Sequence, residues 1–276
     1  MMMTANEIKK LITAEGIDLV GIADARELIL AYPPRPALAL MPSAKSVIVM
    51  AVAHSLGAAC SDNIHLWTRN KMQTSRLLDQ VAEKIGRMLE KEGYLSLPVS
   101  ADKPVEIFKR DPETGKKFPA TRVVGQLSLK HAAVSAGMGE IGRSNLLLTE
   151  EFGPHQRLAA IITELEIEPD SRKEIRICDD CKKCEKACPS GALQDGQYNV
   201  DPCFSFWSLG FEKRKPASLE QWPPYLRMLW EHNRNRDWFI ELGQTYITDV
   251  DFCIECIKAC PKGSRWKKIR PKKLKQ

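Results

Sequence analysis

The sequence predicts an α+β protein, in which a layered core of mixed helices and strands precedes a cysteine-rich segment. Helical and strand patterns are mixed over residues 1–170, and eight of the nine cysteines follow residue 177. The 43% hydrophobic and 28% charged content of the 276 residues is typical of a folded globular chain. We therefore predict three parts: an α/β core at 1–170, a cysteine-rich domain at 171–262 with an aromatic insert at 211–250, and a basic tail at 263–276.

The first elements are predicted from capping signals and periodicity. Thr4 and Glu7 have the spacing of a capping box, and Gly16 is placed to end a helix of about three turns. Runs rich in Val and Ile then predict short buried strands at 18–23 and 46–54. The chain is thus expected to begin with one helix and two strands.

The rest of the core continues this mixture. An apolar stripe predicts a long helix over 62–92 that ends at Gly93. The polar, turn-rich residues 101–122 are expected to form a surface insert. The remaining predicted elements are a strand at 94–99, a helix at 126–136, and strands at 146–149 and 157–164. Such a mixture fits an α/β or an α+β layered domain.

Charge and hydropathy exclude several classes of protein. The formal net charge of +6 comes from the tail, since eight Lys or Arg and no acid lie from Pro261 onward, against 33 basic and 35 acidic residues before it. The longest apolar run, residues 47–53, is far shorter than the roughly 20 residues of a membrane-spanning helix. The first residues also lack the pattern of an export signal. We expect a cytoplasmic protein without a membrane partner.

Four cysteines form the strongest motif in the sequence. They are Cys178, Cys181, Cys184 and Cys188, followed by Pro189. This C-x2-C-x2-C-x3-C-P spacing is that of bacterial ferredoxins, in which the fourth cysteine ligates the other of two clusters, and thiolates are soft ligands suited to iron. A shortened form recurs at Cys253, Cys256 and Cys260, and the isolated Cys203 can supply the missing ligand.

Eight cysteines are enough for two 4Fe-4S clusters, and the crossed ferredoxin rule divides them. The first thiol set is Cys178, Cys181, Cys184 and Cys260. The second thiol set is Cys188, Cys203, Cys253 and Cys256. A pair of zinc knuckles is the alternative, although zinc ribbons pair two C-x2-C motifs and do not need the longer run. Cys60, in a small polar stretch, is interpreted as a spare thiol.

A longer segment carries a family resemblance. Residues 131–148, followed by 151–154 and 157–160, resemble the cobalamin-binding core shared by epoxyqueuosine reductases and reductive dehalogenases. In both families this segment precedes a double-cluster domain with an isolated cysteine before an aromatic stretch, as at Cys203. The resemblance covers about residues 120–262.

Three glycines in this segment, Gly137, Gly139 and Gly142, also have the G-x-G-x-x-G spacing of a dinucleotide fingerprint. That fingerprint follows a strand and opens a helix, whereas this one follows a predicted helix and leads into a predicted strand. The glycines are better explained as positions where the backbone approaches a large planar ligand or another strand, with a purely structural turn as the alternative.

The resemblance implies a nitroreductase-like core that binds cobalamin base-off, and a ferredoxin-like domain whose clusters pass electrons to it. The implied reaction is the reductive removal of an epoxide oxygen from a modified tRNA base, or of a halide or similar leaving group from a small molecule. The alternative function is a ferredoxin-type electron carrier or a corrinoid activator without a substrate of its own. The corrinoid neighbours implied by position are Gly137, Gly139, Gly142, Arg143, Asn145, Leu146, Leu148 and Arg157.

Two of these assignments have alternatives, and so has the role of a nearby histidine. Arg143 can be a solvated charge, and Asn145 can simply favour a turn. His131 can ligate cobalt or donate a proton, but a packed histidine on a helix face is the more common case. No proton donor is assigned, because residues 121–125 lack the acid found upstream of the glycines in epoxyqueuosine reductases.

The implied partners are an external electron donor, such as flavodoxin or ferredoxin, and tRNA. The tail from Lys262 to Lys275 can neutralise phosphates, or it can dock an acidic electron donor. The aromatic residues of the 211–250 insert are expected to pack a core or to shield a cluster from water, with a ligand cage as the alternative.

Overall fold

The computed structural model describes residues 3–28, 37–61, 63–101, 106–110, 117–123, 127–171, 175–199, 202–203 and 253–273. The predicted aromatic insert at 211–250 lies outside the described residues. The helices are α1 (Ala5–Ala14), α2 (Ala37–Leu40), α3 (Leu56–Cys60), α4 (Ile64–Lys91), α5 (Leu129–Ser135), α6 (Lys183–Lys186), α7 (Glu255–Ala259) and α8 (Ser264–Lys273). The strands are β1 (Leu19–Asp24), β2 (Ser46–Ala53), β3 (Ser96–Val99), β4 (Glu106–Arg110), β5 (Lys117–Val123), β6 (Glu140–Ile141), β7 (Leu147–Leu148), β8 (Gln156–Thr163), β9 (Leu193–Gln194) and β10 (Gln197–Tyr198).

The core is built on a four-stranded sheet in the order β1-β2-β8-β3. Every neighbouring pair is antiparallel, and β2 pairs with β8 over its whole length, from Ser46 opposite Thr163 to Ala53 opposite Gln156. A parallel α/β sheet requires crossover connections between parallel strands, which this sheet does not contain. The mixed fold is therefore of the α+β kind.

Helices cover both faces of this sheet, which explains why the central strand β2 is almost continuously apolar. Ile48, Met50 and Val52 pack with α1 and α4 on one face. Val47 and Val49 point to the other face, where α2 and α5 lie. Because successive strand residues alternate between faces, one strand contributes to two apolar layers.

The two helices of the first layer form as their sequences predict. Thr4 caps α1, and both hydrogen bonds of the capping box with Glu7 are present. The apolar stripe of α4 is buried at Leu78, Val81 and Leu89, among others. Although α4 has 28 residues, no described helix is both long and apolar enough to cross a membrane.

Within the predicted surface insert at 101–122, β4 and β5 form an antiparallel hairpin. The turn-forming residues 111–116 lie between the two strands and outside the described residues. A short hairpin that contains charged residues and Pro119 has a weak strand signal, so composition alone did not predict these two strands.

Helix α8 forms most of the predicted basic tail. The first turn of α8 is bound to the core, since Ser264 N–H donates to the Glu150 carbonyl at 2.9 Å and Arg265 N–H to the Glu151 carbonyl at 3.0 Å. Gly263 comes so close to the core that an added Cβ would lie 2.6 Å from the backbone nitrogen of Gly153. The tail is therefore anchored at its beginning rather than free.

Candidate functional site

The three glycines lie in a hairpin (residues 137–148, the glycine hairpin) that follows α5. β6 pairs with β7, with Glu140 opposite Leu148. The tip is closed by the Asn145 N–H, which donates to the Gly142 carbonyl at 2.8 Å. Asn145 has a φ of 59°, in the left-handed region. A helix thus precedes the glycines and a strand follows them, as predicted, which is the reverse of a dinucleotide fingerprint.

Two of the glycines allow close contact with the second strand of this hairpin. A Cβ at Gly139 would lie 2.0 Å from the Leu148 carbonyl oxygen, and one at Gly142 would lie 2.5 Å from Leu148 Cδ1. Gly137 has a φ of 66° just after α5. Leu148 is buried and Leu146 is half-buried. Close approach to another strand, one of the two predicted explanations, therefore accounts for Gly139 and Gly142.

Asn145 is held by a lysine of α5. The Lys130 ammonium donates to the Asn145 carbonyl at 2.9 Å and to its Oδ1 at 2.6 Å, and burial lowers the pKa of Lys130 to about 8. The turn role of Asn145 is thus observed. His131 lies on α5 with its Nδ1 2.6 Å from the Ser128 hydroxyl, and burial lowers its pKa. This local contact fits the packed histidine.

Arg143, at the tip of the glycine hairpin, reaches across to the cysteine-rich segment. Its Nε donates to Glu185 Oε1 at 2.5 Å, and its Nη1 pairs with Asp180. The Arg143 side chain is only 13% exposed and that of Glu185 only 12%. Arg143 is therefore not a solvated charge.

The first thiol set lines one cavity. Its full lining is Arg143, Ser144, Leu148, Cys178, Asp179, Cys181, Lys182, Cys184, Cys260, Pro261 and Lys262. Burial raises the pKa of Cys260 to about 11, and the neighbouring thiols of Cys184, Cys181 and Cys178 also raise it. The fold therefore brings a cysteine from the second motif to the first three cysteines of the first motif.

The second thiol set is also close together. Burial raises the pKa of Cys256 to about 12, with Cys203 and Cys188 as the next causes. Burial also raises the pKa of Cys253 well above its ordinary value, with Cys256 as the next cause and Cys203 a weaker one. The thiols that raise the pKa values of Cys253 and Cys256 thus belong mainly to the second set, with Cys184 of the first set acting more weakly on Cys256.

The thiols of the first set line a cavity, which is not the arrangement of a single-ion site. Zinc draws four ligands to about 2.3 Å from one point. Among the parts of the chain that the structure describes, no group of three or more His, Cys, Asp or Glu side chains could hold one metal ion. Thiols set around a cavity instead suit a cluster, because each thiolate then binds a different iron.

A largely buried polar set lies where β2 ends and β8 begins, against α4. It consists of the buried His54, Lys71, Ser75 and His155 and the half-buried Arg157. Arg157 Nε donates to the Ser75 hydroxyl at 3.2 Å, and the His54 N–H donates to the His155 carbonyl at 2.8 Å. The His54 side chain is buried, with 4% of its surface exposed. Its Nδ1 has no hydrogen-bond partner among the described residues. Of this set, sequence reasoning singled out Arg157 alone.

A helical signal for this set is present in the sequence. Lys71 and Ser75 are four residues apart in α4, with Thr68 and Thr74 on the same buried face. These polar residues lie on the same helix face as the apolar stripe of α4, toward its N-terminal end. From their residue types alone they would be predicted to be exposed to solvent.

Stability is expected to fall in acid because of His54. Burial, with the positive charge of Arg157 as the next cause, lowers the pKa of His54 from its ordinary 6.5 to about 3. Between pH 6.5 and 3, His54 is therefore protonated in the unfolded chain but stays neutral in the folded chain. The free energy of unfolding consequently decreases as the pH falls from 6.5 toward 3. Urea unfolding over this range should show a shallower pH dependence for His54→Gln than for the wild type; equal slopes would contradict the assignment.

No protein-family model matches the chain. Tetrachloroethene reductive dehalogenase of Dehalobacter restrictus is 28% identical over 228 residues, covering 82% of this chain and 33% of the relative. Epoxyqueuosine reductase of Bacillus subtilis is 41% identical over 83 residues, covering 30% of this chain and 21% of the relative. The chain thus spans about a third or less of the length of these curated relatives.

The fold is similar to that of a solved relative. The structure of epoxyqueuosine reductase from Streptococcus thermophilus matches with a TM-score of 0.53 at 21% identity, covering 93% of this chain and 65% of that one. The predicted resemblance, which was based on the glycine segment and the cysteine motifs, is confirmed. The chain is similar in sequence to reductive dehalogenases and epoxyqueuosine reductases, and its mixed helix-and-strand fold is similar to that of epoxyqueuosine reductase.

Proposed function

We propose that this chain is a cobalamin-dependent iron-sulfur reductase that removes an oxygen or halide leaving group from its substrate. The observation that carries the proposal is the grouping of eight cysteines into two sets of four, one of them against the glycine hairpin. The named relatives are reductases of both kinds. A carrier without a substrate is less well supported, because no relative named above is an electron carrier.

In this proposal the chain has a nitroreductase-like core at 1–170 and a ferredoxin-like domain at 171–262. The antiparallel sheet with helices on both faces supports the first assignment. The crossed thiol sets support the second, since exchange of the last cysteine between motifs is the ferredoxin pattern.

The first thiol set would hold one 4Fe-4S cluster and the second thiol set the other. The donor chemistry fits, because thiolates are the usual ligands of such clusters. When bound, the clusters supply single electrons at potentials that depend on burial and local charge. The raised thiol pKa values imply that iron binding releases protons, since the ligands must be thiolates.

Cobalamin, when bound, supplies a two-electron nucleophile for breaking a carbon–halogen or carbon–oxygen bond. The unpartnered Nδ1 of the buried His54 and the neighbouring Arg157 support a binding region for a polar group of such a ligand in the core. Removal of a halide consumes two electrons and one proton, and removal of an epoxide oxygen consumes two electrons and two protons. Arg157 would orient the ligand, and Gly137, Gly142 and Leu146 would lie along it.

The proposal is tested by EPR titration of cob(II)alamin into the anaerobically reconstituted protein. A base-off signal that saturates at one equivalent, together with reduced-cluster signals, is the expected result. Only free, base-on cobalamin beside two reduced clusters would overturn the enzyme and leave an electron-transfer protein. Arg157→Met should weaken cobalamin binding about tenfold or more, since a hydrogen bond to a charged group contributes roughly 1.5–3 kcal/mol. Arg87→Met, in an exposed ion pair of α4, is the matched control.

We further propose that α8 contacts tRNA. A solved epoxyqueuosine reductase carries a tRNA stem loop and matches this fold with a TM-score of 0.50. Helix α8 exposes Arg265, Lys267 and Lys268. The Trp266 ring is buried, and its centroid lies 4.1 Å from that of the His155 ring. The helix therefore presents positive charge from an anchored position.

Reversing two of these charges should weaken tRNA binding and its salt dependence. For the Lys267→Glu/Lys268→Glu double variant, we expect the slope of log affinity against log salt to fall by about 1–2. Filter binding across a salt series measures this slope, with Lys10→Glu on the exposed face of α1 as the control. Unchanged tRNA binding with weakened reduction by an acidic flavodoxin would assign α8 to the electron donor instead.

A further inference from the structure

One arginine joins the core to the loop that carries the first thiol set, and its role goes beyond the corrinoid contact predicted for it. Arg143 lines the same cavity as Cys178, Cys181 and Cys184. This role rests on the proposed function, in which the cavity holds a 4Fe-4S cluster.

The position of Arg143 is fixed from the core side. It follows Gly142 at the tip of the glycine hairpin, where Asn145 closes the turn and Lys130 holds Asn145 through two hydrogen bonds. The added Cβ at Gly139 would clash with Leu148, so the two strands of the hairpin lie unusually close. A charge on such a turn is preorganised rather than mobile.

The acids that Arg143 binds are both next to ligands of the first thiol set. Asp180 lies between Cys178 and Cys181, and Glu185 directly follows Cys184. Glu185 Oε1 also accepts the Gly196 N–H at 2.8 Å, which ties the β9–β10 turn to the same carboxylate. One guanidinium therefore holds the first and the last of the three spacers of the cysteine loop.

A second contact from the glycine hairpin supports the same loop. The Glu140 carboxylate accepts the Ile177 N–H at 2.5 Å and also the Cys178 N–H. The glycine hairpin thus contacts the cysteine loop at two places. The Glu140 carboxylate binds the backbone where the loop begins, and the Arg143 guanidinium binds the acids Asp180 and Glu185 further along.

We propose that Arg143 is a positioning residue that sets the reduction potential of the cluster held by the first thiol set. The cluster gains a negative charge on reduction, and a nearby positive charge stabilises that state. Without Arg143, the carboxylates of Asp180 and Glu185 would lose the partner that they share, and Lys182 and Lys262 would be the remaining positive side chains of the cavity lining. The second cluster, held by other cysteines, should respond less because the interaction falls with distance and screening.

The test is a redox titration of the reconstituted protein (residues 1–276) and its variants. EPR spectra monitor the reduction of each cluster. For Arg143→Gln we expect one cluster to become harder to reduce, with the ratio of reduced to oxidised cluster at a fixed potential falling at least tenfold, which is 59 mV for one electron. Arg143→Lys retains the charge and should shift the potential less. Arg87→Gln, an exposed arginine in an ion pair with Glu83, should leave both potentials unchanged.

Iron content separates tuning from simple folding. Unchanged potentials of both clusters in Arg143→Gln, at wild-type iron content, would overturn the inference. If Arg143→Gln cannot hold the cluster, Arg143→Lys decides: a retained cluster near the wild-type potential supports the role of the charge, and equal loss of the cluster overturns it. A wild-type protein without two 4Fe-4S signals would instead refute the proposed function itself.

Discussion

Replacing Cys181 and Cys260 together by serine should leave one cluster intact, whereas replacing Cys181 and Cys188 together should remove both. The first pair belongs to a single thiol set under the crossed assignment, and the second pair takes one ligand from each set. An uncrossed assignment, in which each motif binds its own cluster, predicts the opposite outcome for the two variants. The crossed grouping is supported by Cys260, whose neighbouring thiols are those of the first motif.

Iron and acid-labile sulfide analysis after anaerobic reconstitution distinguishes the assignments. We expect about four irons per chain for Cys181→Ser/Cys260→Ser and close to none for Cys181→Ser/Cys188→Ser. Cys60→Ser, at an exposed thiol of α3, is the control and should retain the wild-type iron content. Loss of both clusters in the first double variant would contradict the crossed sets.

Gly139→Ala should destabilise the fold by about 3 kcal/mol or more, which is at the upper end of the cost of overpacking. The new methyl group would lie 2.0 Å from the Leu148 carbonyl oxygen, and backbone in a paired hairpin cannot move aside as a flexible side chain can. Urea unfolding, monitored by far-UV circular dichroism, measures the change in the free energy of unfolding.

Gly57→Ala in α3 is the matched control, because the atom nearest to its added Cβ is Ser55 Oγ at an ordinary 3.6 Å. Alanine is favoured over glycine in a helix by roughly 0.5–1 kcal/mol, so this variant should be unchanged or slightly more stable. Similar destabilisation by both changes would show that close approach of the hairpin strands does not limit position 139.

Features that depend on neighbouring residues in the chain could be predicted from the sequence. The capping box of Thr4 and Glu7 and the stripe of α4 need only local spacing, and both are observed. The cysteine motifs and the glycine segment likewise indicated the relatives, because ligand spacing and close backbone approach restrict which residues can be used.

Features that depend on distant partners could not be predicted. Arg143 pairs with Asp180 and Glu185, which lie 37 and 42 residues further along the chain. No local sequence pattern predicts these two contacts. Lys71 looks like a solvated helix charge, yet it is buried beside His54, where the central strand β2 ends. Short strands such as β6 are fixed by their pairing partner, since two residues carry almost no periodicity of their own.

The anchoring of α8 against the core has a consequence for how the protein acquires its iron. Glu140 holds the backbone at Cys178, and the Gly153–Gly263 approach holds it just after Cys260. The first and last cluster cysteines are thereby fixed in space, so the segment between them is a loop already closed at both ends. Closing such a loop costs chain entropy, and contacts that close it before metal arrives remove that cost from cluster assembly. The residues that follow Cys260 would therefore help to hold the first thiol set in place before iron and sulfide bind.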